Sequence, residues 1–182
     1  MKIIHTSDWH IGKIVNEFSM IEDPKYILRK LIKVIEEEKP NVLIIAGDIY
    51  YRSIPPVEAV ELLNETLSTL VIDKNIKVLA ISGNHDSGER LSFGSKILEK
   101  QGLYVVGSDD ELYRHVAICE KAKNINFYLI PYKDPALTRK LIDDKKIKNH
   151  NDVMIEVINK IKENMNKEEV NILVDYGYIT MK

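Results

Sequence analysis

The chain has 182 residues, 45% hydrophobic and 30% charged, with 26 Lys and Arg against 28 Asp and Glu for a formal net charge of -2. A chain of this length buries about 70% of the surface it would expose when unfolded, which excludes dependence on disulfides or a structural metal for a core. Near-balanced charge excludes a nucleic-acid binder that relies on a bulk basic surface, the lone Cys119 excludes an internal disulfide, and no apolar run approaches the roughly 20 residues that span a bilayer.

A single domain covering residues 1–182 is the simplest division, and the protein is expected to be cytoplasmic. Lys2 to His5 reads as the first strand. Asp23-Pro24 supplies an N-cap and a first-turn proline for a helix whose apolar face is Tyr26, Ile27, Leu31, Val34 and Ile35, ending at Lys39-Pro40. Val42 to Ala46 is a buried strand, and Val57, Val60, Leu63, Leu67 and Leu70 mark a second helix. Ile76 to Ser82 reads as a third strand, Ser92 to Lys100 as a short helix closed by Gly102, and Leu103 to Val106 as a further strand. Tyr113 to Cys119 and Asn126 to Ile130 form an antiparallel hairpin, joined by residues 120–124. Helices over Pro135 to Asp143 and Asn151 to Asn166, then a last apolar run at Val170 to Val174, complete the chain. Alternating strands and helices of this kind predict an α/β fold, with a central mixed, largely parallel sheet flanked by helices.

The informative feature is where polar residues fall. Asp8 and His10 follow the first strand, Gly47-Asp48 the second and Gly83-Asn84-His85-Asp86 the third. In an open α/β sheet the carboxyl ends of neighbouring strands border the crevice where ligands bind, so the three loops can converge. Their oxygen and nitrogen donors suit Mn²⁺, Fe²⁺ or Zn²⁺, and a two-metal site of this type activates water and holds phosphate. Each motif alone is more often a turn or helix cap; three in order, each at a strand end, point to a site.

These three blocks resemble the first signature blocks of the calcineurin-like metallophosphoesterases. His5-Thr6-Ser7-Asp8-Trp9-His10-Ile11-Gly12, Ser53-Ile54-Pro55-Pro56 and Ile130-Pro131-Tyr132 resemble, more narrowly, its SbcD-like exonuclease branch. The resemblance implies a Mn²⁺-dependent hydrolase of DNA phosphodiesters, working in repair and recombination with the SbcC coiled-coil ATPase, as a homodimer and away from membranes. It implies that Asp8 and His10 hold one ion, Asp48 bridges two, Asn84 binds the second, and His85 assists the leaving group. It also implies a dimer contact on the helices after the second and third blocks, including Leu91, Phe93, Ile97 and Leu98.

Departures from the family pattern are as specific. Tyr51 stands where Gly-Asp-x-x-Asp has its second Asp, and Tyr176 where the last strand leads to a metal-binding His. A closing Gly-His-x-His block has no counterpart, and the capping domain and SbcC-docking region are expected to be absent. The chain is therefore expected to be weakly active or inactive. Two rivals stand beside that reading: a non-catalytic dimerisation or DNA-contact protein, and a phosphodiesterase for small substrates. Trp9 is expected to pack beside the site, His5 to sit in the core or behind the metal ligands rather than to bind metal itself, and Cys119 to be a small buried residue.

Overall fold

In the computed structural model, residues 1–107, 112–142 and 146–177 are described. The first strand, β1 (Ile3–Thr6), leads through a small hairpin of β2 (Ile14–Val15) and β3 (Phe18–Ser19) into helix α1 (Glu22–Glu38). There follow β4 (Val42–Ala46), α2 (Val57–Ser68), β5 (Lys77–Ile81), the single-turn helices α3 (Gly88–Leu91) and α4 (Ser95–Leu98), and β6 (Leu103–Val106). The remainder is β7 (Arg114–Glu120), β8 (Lys123–Ile130), α5 (Pro135–Leu141), α6 (His150–Asn164) and β9 (Val170–Asp175).

Apart from the β2-β3 hairpin, two sheets divide these strands. The first is wholly parallel in the order β1-β4-β5-β6; the second is β7-β8-β9, antiparallel at the hairpin and parallel between β8 and β9. Side chains alternate across each strand, so every strand serves two layers. Leu43, Ile45, Val78, Ala80 and Val105 face α1 and α2, meeting Leu28, Ile35, Ala59, Leu62 and Leu63. Their neighbours Ile44, Leu79, Ile81 and Val106 face the second sheet and pack on Val116, Ile118, Phe127, Leu129 and Val174. Beyond that sheet, Tyr128 and Ile130 meet Val153, Val157 and Ile161 of α6. The layers therefore run helix, sheet, sheet, helix. That is the expected α/β class, with the hairpin and the last strand separated into a second sheet. Among the described residues no helix is long and apolar enough to cross a membrane.

Several local expectations are corrected. Helix α1 starts at Glu22, with Asp23-Pro24 inside its first turn and no side-chain cap. It buries Leu28 and Ile35 with Leu31 and Ile32 beside them, while Tyr26, Ile27 and Val34 are exposed. Spacings of three, four and seven from Leu28 define the inward stripe. In α2, Leu63 turns inward but Val57 and Val60 stay exposed, and the chain widens into a π turn over Thr69–Asp73 that buries Leu70. The helix expected at 92–100 starts only at Ser95, after Gly94 with φ of 71°, and tightens into a 3-10 turn over Glu99–Gln101. Pairing of Glu120 with Lys123 makes the hairpin turn two residues long. Lys121 and Ala122 hold its positive φ angles of 49° and 62°, without the Asn or Gly that usually mark such turns. Cys119 lies exposed, on the outward side of a strand whose Val116 and Ile118 point inward. His5, on an edge strand, is exposed too. The expected helix end at Asp143 lies outside the described residues.

Phe127 sits fully buried between the sheets. Phe127→Ala is expected to cost about 3–5 kcal/mol, and Ile72→Ala, at an exposed position, to stay within about 0.5 kcal/mol, both read by urea denaturation.

Candidate functional site

The parallel register of the first sheet does not stop at the strand ends. Asp8 N donates to the Gly47 carbonyl at 3.0 Å, His10 N to that of Asp48 at 3.0 Å, and Ile11 N to that of Ile49 at 2.9 Å. Gly47 N in turn donates to the Ile81 carbonyl at 3.1 Å. The loops after β1 and β4 are thus zipped together, with Asp8, His10 and Asp48 at φ of 56°, 45° and 49°. Non-glycine residues in this left-handed region cost about 1–3 kcal/mol each and cluster where a fold holds side chains for a task.

Asp86 fastens the third loop. Its carboxylate accepts N–H bonds from Gly83 at 2.9 Å, Ile49 at 3.1 Å and Tyr50 at 2.8 Å. Burial pushes the Asp86 carboxyl above the usual range, the three N–H groups pull it back, and the Asp48 charge adds a smaller push. The Tyr50 hydroxyl is pushed up to about 12, by burial and by Asp86.

Within this frame Asp8, His10, Asp48 and His85 come together. His10 Nε2 lies 3.7 Å from both Asp8 Oδ1 and Asp48 Oδ2, and His85 Nε2 lies 3.9 Å from Asp48 Oδ2. Asp48 is 2% exposed, and its Oδ1 accepts the His85 backbone N–H at 3.0 Å. His85 Nδ1 is 2.9 Å from the Tyr51 carbonyl, which can only accept, so Nδ1 carries the proton and Nε2 faces the site. Asn84 stands beside His85 with an exposed side chain. Trp9 packs beside the site as expected, its indole N–H donating to Thr6 Oγ1 at 3.0 Å.

Both tyrosine replacements are in the site. The Tyr51 ring lies 5.9 Å from that of His10 and 5.8 Å from that of His85, centre to centre. The Tyr176 hydroxyl donates toward Asp48 Oδ2 at 2.7 Å and Asp8 Oδ1 at 3.1 Å. Its ring covers Gly47 so closely that a Cβ there would collide with it. Burial, and then the hydrogen bonds and charges of Asp48 and Asp8, push its ionisation far upward, so it remains a phenol.

The donors suit a divalent ion in type. His10, Asp48 and His85 each offer a ligand atom, all within 4.8 Å of one another. Two ligands about 2.1 Å from a shared tetrahedral ion lie about 3.4 Å apart, a few tenths below the 3.7–3.9 Å seen here. Closure of these pairs, and of the His10–His85 pair that lies within 4.8 Å, would be needed to seat one ion. The expected pair does not fit as the residues stand, because the Tyr176 hydroxyl fills the notch between Asp8 and Asp48. A cleft of about 490 Å³ runs from Asp8 and His10 toward α1, walled by Trp9, Lys13, Met20 and Ile27. Sequence reasoning assigns Asp86 no role, although its place directly after Asn84-His85 is visible there.

Layered sheets with an Asp/His cluster at the parallel strands' carboxyl ends define a phosphoesterase scaffold. The chain belongs to the calcineurin-like phosphoesterase family, whose model matches residues 1–180. It is 38% identical over 182 residues to the SbcD component of nuclease SbcCD from Staphylococcus saprophyticus, covering 100% of this chain and 47% of that protein. The Staphylococcus epidermidis protein of the same name is 35% identical over 182 residues, with the same coverage of 100% and 47%. This chain therefore spans about half the length of the curated relatives it matches. A solved structure of YfcE, a phosphoesterase from E. coli, overlaps 71% of this chain and 57% of its own, at 21% identity and a TM-score of 0.36.

Asp175 closes β9 beside the site. Burial raises its carboxyl above 3.8, opposed by the Tyr176 N–H. As pH rises from that value, the folded chain keeps a proton that the unfolded chain has released, so this residue lowers stability across the window. Asp175→Asn, whose amide oxygen can still accept the Tyr176 N–H, is expected to be more stable than the parent at neutral pH. The difference should shrink toward zero as the pH falls to the ordinary carboxylate range, followed by urea denaturation at stepped pH.

Proposed function

We propose that this chain is the N-terminal portion of the phosphoesterase domain of an SbcD-type nuclease, acting on DNA phosphodiester bonds in repair and recombination beside an SbcC-type ATPase. The observation that supports it is the convergence of Asp8, His10, Asp48 and His85 at the carboxyl ends of three parallel strands. Asp8, His10, Asp48 and Asn84 are the proposed metal ligands. Bound Mn²⁺ would supply charge neutralisation at phosphate and a more acidic water.

The chain's own residues do the rest. His85, with a side chain 41% exposed, is open to substrate. The Tyr51 carbonyl fixes its ring, and Nε2 is held 3.9 Å from Asp48 Oδ2. A proton on Nε2 can be given to the departing oxygen, which makes His85 the general acid of this reading. The Tyr176 hydroxyl at Asp48 and the absence of a carboxylate at position 51 both favour weak hydrolysis.

Cleavage of a linear DNA duplex and of a chromogenic phosphodiester, each with MnCl₂, tests this reading. A slow Mn²⁺-dependent rate is expected, reduced by about 100-fold or more in His85→Ala. A rate unchanged in His85→Ala would remove His85 from the chemistry, and no hydrolysis from a metal-loaded chain would favour the non-catalytic reading.

Homodimerisation is the second element. Phe93, Ile97 and Val57 are 86%, 75% and 72% exposed. The same helices, α2 and α4, contribute Val60, Leu67 and Leu98 to a groove of about 320 Å³ that Ile54, Pro55 and Leu91 also line. Several large apolar side chains exposed on neighbouring helices support an interaction surface there. Sedimentation equilibrium is expected to show a dimer that dissociates in Phe93→Glu with Ile97→Glu; a monomeric parent chain would count against it.

A further inference from the structure

We propose that Tyr176 is an internal stand-in for a cation: its hydroxyl holds Asp8 and Asp48 together and keeps divalent ions out of the notch between them. This rests on reading Asp8, His10 and Asp48 as metal ligands.

Two carboxylates converging on one point repel unless a cation or a proton lies between them. Here the group between them is a phenol, bonded to Asp48 Oδ2 at 2.7 Å and facing Asp8 Oδ1 at 3.1 Å. His10 Nε2 faces the same two oxygens at 3.7 Å, beyond hydrogen-bond reach, so among the described residues it is the hydroxyl that bonds the pair. Hydrogen bonds to an ionised acceptor are roughly twice as strong as neutral ones, and an incoming ion has to displace this one first.

The hydroxyl is also hard to withdraw. The Tyr176 ring packs against the apolar layer between the two sheets and lies flat on Gly47, which has no side chain to hold it away. It follows directly on β9, whose last pair joins Asp175 to Ile130, so the ring is carried by the sheet rather than by a free arm. His10 Nδ1, buried and without a hydrogen-bond partner among the described residues, leaves that imidazole unbraced at its far side. The donors suit an ion in type, while the notch between the two carboxylates is filled by a phenol.

Titration with MnCl₂ alone, by calorimetry, tests this on the full chain, on Tyr176→Phe and on Tyr176→His. Phe keeps the ring on Gly47 and removes only the hydroxyl, and thermal unfolding of each variant confirms that it is folded. Affinity is expected to rise by about tenfold or more in Tyr176→Phe, the scale of one lost charge-assisted hydrogen bond, and further in Tyr176→His. Both gains should vanish when Asp48→Asn is added. Equal binding in the parent chain and both variants, or a gain that survives Asp48→Asn, overturns the proposal. The same proteins in the hydrolysis assay separate the two readings. Mn²⁺ binding gained without hydrolysis leaves this proposal standing and removes the nuclease activity; tight Mn²⁺ binding with hydrolysis in the parent chain does the reverse.

Discussion

Everything at the site depends on one constraint, the in-register parallel pairing of β4 with β1 and β5. Ile3 to Thr6 align with Val42 to Ile45, and Val42 to Ala46 with Lys77 to Ile81. Because the strands end level, the chain leaves all three at one edge and the ladder runs on into the loops as backbone bonds from Asp8, His10 and Ile11. A slip of one residue would turn Asp8 and Asp48 to opposite faces and exchange the two apolar layers at the same time. Core and site are specified by the same register. The buried strands that resist such a slip are thus what holds two carboxylates and two imidazoles within a few ångströms of one another.

Holding them there has an electrostatic cost that the local structure visibly meets. Asp48 is buried, yet its Oδ1 takes an N–H from His85 and its Oδ2 a hydroxyl from Tyr176. Asp86 is satisfied differently, by three backbone N–H groups from two loops. Hydrogen bonds to charged groups are worth about 1.5–3 kcal/mol each, so this one side chain does more to fix the relative position of the loops than any apolar contact near them. The strain at Asp8, His10 and Asp48 persists because these bonds over-determine the backbone around it.

The parts of this architecture that were legible in sequence are those governed by short-range pattern. Val42 to Ala46 reads as a buried strand because every position is apolar, and Asp8, His10, Asp48 and His85 stand out because they follow such runs immediately. The helix faces were less legible: in α1 the true stripe of Leu28, Leu31, Ile32 and Ile35 competes with Tyr26, Ile27 and Val34, and only packing against the sheet decides between them. The two-residue turn at Lys121-Ala122 carries no turn residues, so the hairpin alone sets its conformation. The division into two sheets was hidden for a related reason. Alternation along β7 to β9 shows that one face is buried, but not that this face meets the back of another sheet.

Tyr176 shows the limit most clearly. Sequence comparison with the family marks it only as a residue standing where a histidine is usual, which suggests a vacancy. In the fold the same residue is a bonded partner of two carboxylates that precede it by 168 and 128 positions. That contact exists because β9 pairs in parallel with β8, and the apolar layer of Phe127, Leu129 and Val174 presses the second sheet onto the first. The second sheet therefore has two functions: it buries the back of the parallel sheet, and it delivers a side chain to the front of it. A histidine delivered there offers a lone pair to a cation, whereas a tyrosine offers a proton to the carboxylates. A single side chain at the end of β9 thus sets whether this edge of the sheet is arranged around a metal or around itself.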